Sequence, residues 1–204
     1  MLSLFYAPGA CSMAAHIVME ESGEAYQPER MDLAKGDQKT AAYLKIHPLG
    51  RVPALALDDG SHLTENTAIL PYLGQRFGLW PSEPLAQARA LSVIGFFATN
   101  VHPAFAHIRR PERYTEEASA HAGLQAVGQR MFLSHLQQID ALYADCEWLS
   151  GTYSVLDPYA WVFYVWGQRI GLPMSGLKNF TALKDRMLQR AAVQRVMADE
   201  GLSL

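Results

Sequence analysis

The chain holds two thiols, Cys11 and Cys146, among 204 residues. Cys11 stands in "FYAPGACSMAAHI", after an apolar run and a Pro8-Gly9 turn and just before a helical pattern. The first N–H groups of a helix lack intrahelical acceptors and carry the positive end of its dipole. A thiol held there is drawn toward thiolate, a nucleophile that also exchanges with other thiols. The first Lys or Arg is Arg30, so local backbone N–H groups would do most of this. Position alone leaves a second reading open, in which Cys11 is a small buried hydrophobe. Ser12 either caps the helix or turns its hydroxyl to a ligand. No second cysteine completes a Cys-x-x-Cys couple.

Two further segments carry polar chemistry. "LGRVPAL" sets Pro53 at the start of a strong strand pattern, where a proline is tolerated, where a cis bond is an option and where Val52 keeps its backbone groups exposed. "LTENTAI" puts Glu65 and Asn66 where another helix begins, so free N–H groups suit a carboxylate and Glu65 suits an ammonium. Taken singly, Thr64, Glu65 and Asn66 read as plain capping. Together the segments describe a cradle for a small peptide with a thiol and a free α-amino-acid end. Cys146, in "YADCEWL", is expected to pack near Trp148.

The elements that position these groups follow from periodicity. Leu2–Tyr6, Tyr26–Met31, Val52–Asp58 and Ser61–Leu63 read as strands; Ser12–Ser22, Gln38–Leu44 and Thr64–Phe77 read as helices. The order β-α-β-α-β-β-α predicts a mixed sheet flanked by helices. "GLWPSEPLA" reads as a linker, and helical spacing alone follows: Leu85–Ala106, Thr115–Ala144, a buried helix opened by "SVLDPYAWVFYVW", then Leu177–Leu188 and Ala191–Asp199. Ser154 and Asp157 resemble a capping box, and Pro158 at about the fourth position predicts a tightened first turn. The expected division is an α/β domain over 1–79, a linker over 80–85 and an all-α domain over 86–204.

Half the residues are hydrophobic, 18% are charged and the net charge is -3, which fits a globular chain and gives no reason to expect nucleic acid or an anionic membrane as partner. The longest strongly apolar uncharged stretch is read as Pro158–Gln168, too short to span a bilayer. The start lacks a basic flank and the thiols form no disulfide framework, so a cytoplasmic protein is expected. The seven histidines are scattered without ligand spacing, so no metal is expected.

Over nearly its whole length the chain resembles a glutathione S-transferase of the bacterial beta class. The resemblance rests on "FYAPGACSMAAHI", "HPLGRVPALALDDGSHLTENTAILPYL", "SGTYSVLDPYAWVFYVW" and "EGL" near the end. It implies a thioredoxin-like N-terminal domain, an all-helical C-terminal domain, a homodimer, and conjugation of the glutathione thiol to small hydrophobic electrophiles. Cys11 then lies at the glutathione sulfur, as attacking thiol in disulfide or peroxide reduction, mixed-disulfide former or orienting group, with Ser12 beside it. His102, in "NVHPAF", approaches the sulfur from the helical domain. Val52 and a cis Pro53 hold the cysteinyl part, Glu65 and Asn66 the γ-glutamyl end, and Lys35 the glycine carboxylate, with Arg51 among the glutathione-binding residues. Tyr6 matches a glutathione-side tyrosine that is not usually the catalytic group. Phe96, Phe97, Phe105, Tyr114 and Tyr164 are the aromatic residues of an electrophile pocket; Arg109, placed in that pocket, and Arg110 and Arg113 either line it or face solvent, and solvent is the expectation from their sequence.

The chain departs from that pattern in four places. Asn66 stands for a usual Ser, and Leu49 for the basic residue of Asn-Pro-Lys-Gly. Gly95 stands for an Asn, and Pro103 for a Lys after the histidine. Pro103 is expected to bend its helix. These departures keep open a non-catalytic binder of glutathione or of a hydrophobic ligand, and a glutathione-dependent isomerase or dehalogenase.

Overall fold

The computed structural model describes residues 1–203. Its first part is a four-stranded sheet in the order β2-β1-β3-β4, with β1 (Ser3–Tyr6), β2 (Gln27–Arg30), β3 (Ala54–Ala56) and β4 (His62–Thr64). β1 pairs parallel with β2 and antiparallel with β3, and β4 lies antiparallel at the edge. The parallel pair needs a crossover, which α1 (Met13–Ser22) supplies. Met13 to Met19 are all buried, and Gly23 at φ +67 ends the helix.

β3 is shorter than its apolar run. Proline cannot donate to the ladder, so pairing starts only after Pro53. The short helix also shifts: Asp37–Lys39 is a 3-10 turn, and Thr40 Oγ1 accepts from Tyr43 N–H to start α2 (Ala41–Ile46). α3 spans Asn66–Phe77 and ends at Gly78.

Residues 78–83 lead into the helical part. The expected helix Leu85–Ala106 is three pieces: α4 (Pro84–Phe96), a π-turn (Phe97–Val101) and α5 (His102–Arg109). His102 N–H donates to the Phe97 carbonyl, a bond one residue longer than in an α-helix. Pro103 has no N–H to continue an α ladder, so the wider turn sits just before it. By length and composition Pro84–Arg109, a longer stretch than the uncharged Pro158–Gln168 though it holds Arg89 and Arg109, is apolar enough to cross a bilayer. In this fold its inner side places Ile94, Phe97, Val101 and Ala104 in the core.

α6 (His121–Leu142) follows a 3-10 turn, so the expected helix from Thr115 starts later. α7 (Leu156–Arg169) is buried from Leu156 to Gly167, matching its all-round apolar pattern. Asp157 accepts from Ser154 N–H at 2.9 Å and from Leu149 N–H and Tyr143 Oη, while Ser154 Oγ donates back to it. The carboxylate half of a capping box forms as expected, while the Ser154 hydroxyl accepts from Leu156 N–H at 3.4 Å, one residue before the usual donor. Pro158 is the third residue of α7, inside the first turn, where the helix loses no bond. α8 (Lys178–Leu188) and α9 (Ala191–Glu200) complete the chain, and α9 packs back on α1. Cys146 sits at a helix end, donates to the Leu142 carbonyl at 3.2 Å, and packs against the core with Trp148.

Candidate active site between sheet and helices

The Pro8-Gly9 turn brings Cys11 to the edge of the cleft. Gly9 has φ +65, and a Cβ there would run into the Arg169 guanidinium, so the turn requires glycine. Three distant groups hold it. Gly9 N–H donates to the buried Glu200 carboxylate at 2.7 Å. The Gly9 carbonyl accepts from Trp166 Nε1 at 2.9 Å and from Arg169 Nη1 at 3.4 Å. Glu200 also meets His16 Nδ1 at 2.9 Å.

Cys11 itself donates to the Val52 carbonyl at 3.3 Å, beside the cis Val52–Pro53 bond. Burial and then the Glu65 carboxylate push its thiol up to about 12, against the pull of the Cys11 and Ser12 backbone N–H groups. This overturns the expected thiolate. α1 begins two residues later, and the local backbone field is smaller than the cost of burying charge.

Glu65 has φ +67, a backbone conformation that L side chains seldom adopt. Such strain persists where surroundings enforce it, often in a site. It turns the chain into α3, and the Ala68 and Ile69 N–H groups donate to its carbonyl. Asn66 does not cap α3. Its Nδ2 donates to the Cys11 carbonyl at 3.0 Å, tying the start of α3 to the thiol turn, and its Oδ1 is buried without a partner.

A cavity of about 240 Å³ gathers Cys11, Arg51, Val52, Pro53, Glu65, Asn66, His102, Arg113, Tyr114 and Tyr159 in its wall. A second, of about 420 Å³, shares Cys11, Arg51, Val52, His102 and Arg113 and extends past Pro8-Gly9 to Phe105, Arg109, Arg110, Trp166 and Arg169. His102 lies edge-on to Trp166, with centroids 5.0 Å apart, and Phe105 stacks on the same indole at 4.2 Å. Burial, then the positive charges of Arg51 and Arg113, bring the His102 imidazole down from 6.5 to about 4. It is neutral at neutral pH. Arg113 is also shifted down, by burial and by repulsion from Arg51 and Arg110.

Several expected residues lie elsewhere. The Ser12 hydroxyl is buried, accepts from Ala7 N–H and donates to the Ala7 carbonyl, so it serves the turn rather than a helix cap or a ligand. Tyr6 is buried against His16, with centroids 4.4 Å apart, and burial raises its phenol. Lys35 is exposed and pairs with Asp32 at 3.3 Å, outside both cavities. Tyr164 is buried, shares a hydrogen bond with Thr181 and packs edge-on to Phe180, and Phe96 and Phe97 pack with the core. Arg109, placed in the pocket, lines the cleft while exposed, and so do Arg110 and Arg113, expected in solvent. The sequence reading missed Trp166, Arg169 and Glu200. Each lies near the end of its helix and acts on a turn more than a hundred residues away, and the quoted "YVW" and "EGL" held the only local signal.

Residues 9–76 match the family described as the glutathione S-transferase N-terminal domain. Glutathione S-transferase GstA of Escherichia coli O157:H7 is 32% identical over 212 residues, covering 98% of this chain and all of that one. A Sulfitobacter glutathione transferase homologue, solved with bound glutathione, superposes with a TM-score of 0.93 at 32% identity, over 100% of this chain and 99% of its own. A beta-class glutathione S-transferase from Sphingomonas chungbukensis superposes at 0.86 with 32% identity, over 98% of this chain and all of that one. With full-length relatives at this identity and a thioredoxin-like sheet joined to a helical bundle, the chain belongs to the glutathione S-transferase family.

Proposed function

We infer that this protein conjugates the thiol of glutathione to electrophilic carbon. The observation that carries the reading is convergence: Cys11, the cis Val52–Pro53 edge, the Glu65–Asn66 terminus and His102 meet on one cavity from four elements. The γ-glutamyl carboxylate lies at the first N–H groups of α3, and Glu65 takes its ammonium. The cysteinyl backbone lies along Val52, with the sulfur between Cys11 and His102. Arg51 flanks the glycyl end. Tyr6, Ser12 and Lys35 are left outside this contact set.

The electrostatics favour an anionic sulfur. Arg51 and Arg113 disfavour a cation on His102, and their charges favour a thiolate on the His102 side of the cleft, against the opposing Glu65 carboxylate. Lowering the glutathione thiol by about two units is worth about 3 kcal/mol. Cys11, held protonated, turns its one S–H from the Val52 carbonyl to that thiolate and orients it. The thiolate attacks the electrophilic carbon, the new C–S bond forms, and the leaving group departs with its electron pair. The thiol proton passes to solvent.

The exposed Leu85 and Leu91 on α4 are large apolar side chains that a homodimer would cover. Sedimentation of Leu91→Glu as a monomer supports that assembly, and an unchanged sedimentation coefficient removes it. The two free thiols fit a reducing, cytoplasmic setting. Retention on immobilised glutathione tests the binding reading, and failure to bind sinks it. Cys11→Ala separates roles: conjugation should fall by about tenfold through the lost hydrogen bond. Disulfide reduction lost outright while conjugation persists would instead assign Cys11 to thiol exchange.

A further inference from the structure

We propose that the second substrate is an aromatic electrophile carrying a carboxylate or similar anionic group, rather than a purely apolar one. The proposal rests on the conjugation reading and names the substrate class of that site. Five of the chain's 17 Lys and Arg residues, Arg51, Arg109, Arg110, Arg113 and Arg169, line the larger cavity, whose wall holds no Asp or Glu. The whole protein carries a net charge of -3, so this is a local inversion of sign. Among the described residues, no carboxylate lies within ion-pair distance of any of the five, a condition shared with Arg30, Arg89, Arg130 and Arg186, so it is their gathering on one cavity that sets them apart.

Helix dipoles account for part of this placement. Arg109 ends α5 and Arg169 ends α7, and cations suit helix C-termini. The dipoles do not explain why both ends and Arg113 open on one cavity, where Arg113 is repelled by Arg51 and Arg110. A bound anion relieves that repulsion.

Glutathione uses only one side of this set. In the pose inferred above its γ-glutamyl end belongs to Glu65 and α3, and its glycyl carboxylate faces Arg51, which lines both cavities from the sheet side. Arg109, Arg110 and Arg169 stand on the helical side, around the stacked Phe105 and Trp166 rings. The partly exposed Phe105 ring, backed by the buried Trp166 indole and rimmed by guanidiniums, fits an aryl ring with an anionic substituent.

Two aryl chlorides that undergo the same substitution test this: chlorodinitrobenzoate and chlorodinitrobenzene. In both, the glutathione sulfur bonds to the ring carbon bearing chlorine, chloride leaves with the C–Cl electron pair, and the thiol proton goes to solvent. The readout is the ratio of kcat/KM for the anionic over the neutral substrate, each corrected for its uncatalysed rate. It should exceed one, fall with added salt, and fall by about tenfold in the double variant Arg109→Gln, Arg110→Gln. A ratio that ignores the double substitution overturns the proposal. So does a KM for glutathione that rises in step, since the arginines then serve glutathione's own carboxylate. If neither chloride is turned over, the conjugation reading fails, and calorimetry with S-methylglutathione present decides the rest. Tighter binding of dinitrobenzoate than of dinitrobenzene upholds the anion site, and equal or absent binding of both overturns it.

Discussion

Cys11 and His102 face each other across the cleft, and both are electrically neutral at neutral pH, for different reasons. Burial and Glu65 keep the thiol protonated, while burial and two arginines keep the imidazole deprotonated. For Cys11 the shift from 9.0 to about 12 lowers the thiolate fraction roughly a thousandfold. Iodoacetamide should therefore label Cys11 of the free protein about a thousandfold more slowly than an unperturbed thiol, read by mass spectrometry of the labelled peptide. Rapid labelling would put the thiolate back. His102 links to stability with a definite sign. Its folded value lies below 6.5, so between 6.5 and about 4 the unfolded chain binds the proton that the folded one refuses. Stability present above that window is lost as pH falls through it, by up to about 3 kcal/mol. In urea titrations His102→Phe should lose that much less than the parent protein over the same window, and equal losses would contradict a neutral, buried His102.

At the scale of elements, the site depends on how α5 is aimed. The π-turn at Phe97–Val101 inserts a wider hydrogen bond just before His102, and Pro103 follows it. Proline in "NVHPAF" made a local disturbance legible in the sequence, but a proline kink and a π-turn have the same sequence signal. α5 is then held by α6 at a close approach. A Cβ on Gly128 would lie 2.8 Å from His107 Cβ and 2.9 Å from the Ala104 carbonyl. Gly128→Ala should cost about 1–3 kcal/mol in chemical denaturation by prying α5 from α6. A neutral effect would mean that the two helices slide without strain. Strand and helix identities were readable from period and turn chemistry at β1, α1, α3 and α7. The boundaries that moved, at β3, α2 and α6, are those where a proline, a side-chain cap or a 3-10 turn outweighs apolar spacing.

Across the whole molecule, α9 locks the thiol turn. Glu200 is buried and serves Gly9 N–H and His16 at once, while Arg190 holds Glu21 through two bonds at 2.6 and 2.9 Å. The sheet part and the helical part are thus bound through α1. Glu200→Ala strands a buried N–H and a buried imidazole, and should cost about 3 kcal/mol, measured by urea unfolding. A loss below about half of that would show that water replaces the carboxylate.

The amino-acid sequence by itself determined the order of elements, the change from sheet to helices, and the thiol turn, proline edge and acidic helix start of the cleft. Each of these is local: a Pro-Gly turn, a strand start or a helix terminus is written within a few residues. Only the tertiary structure decided the charge states of Cys11 and His102, the inward turn of Ser12, the exile of Tyr6, Lys35 and Tyr164 from the cleft, and the gathering of five arginines around it. Burial and electrostatic fields are sums over neighbours brought together from distant parts of the chain, and sequence spacing carries no record of those sums.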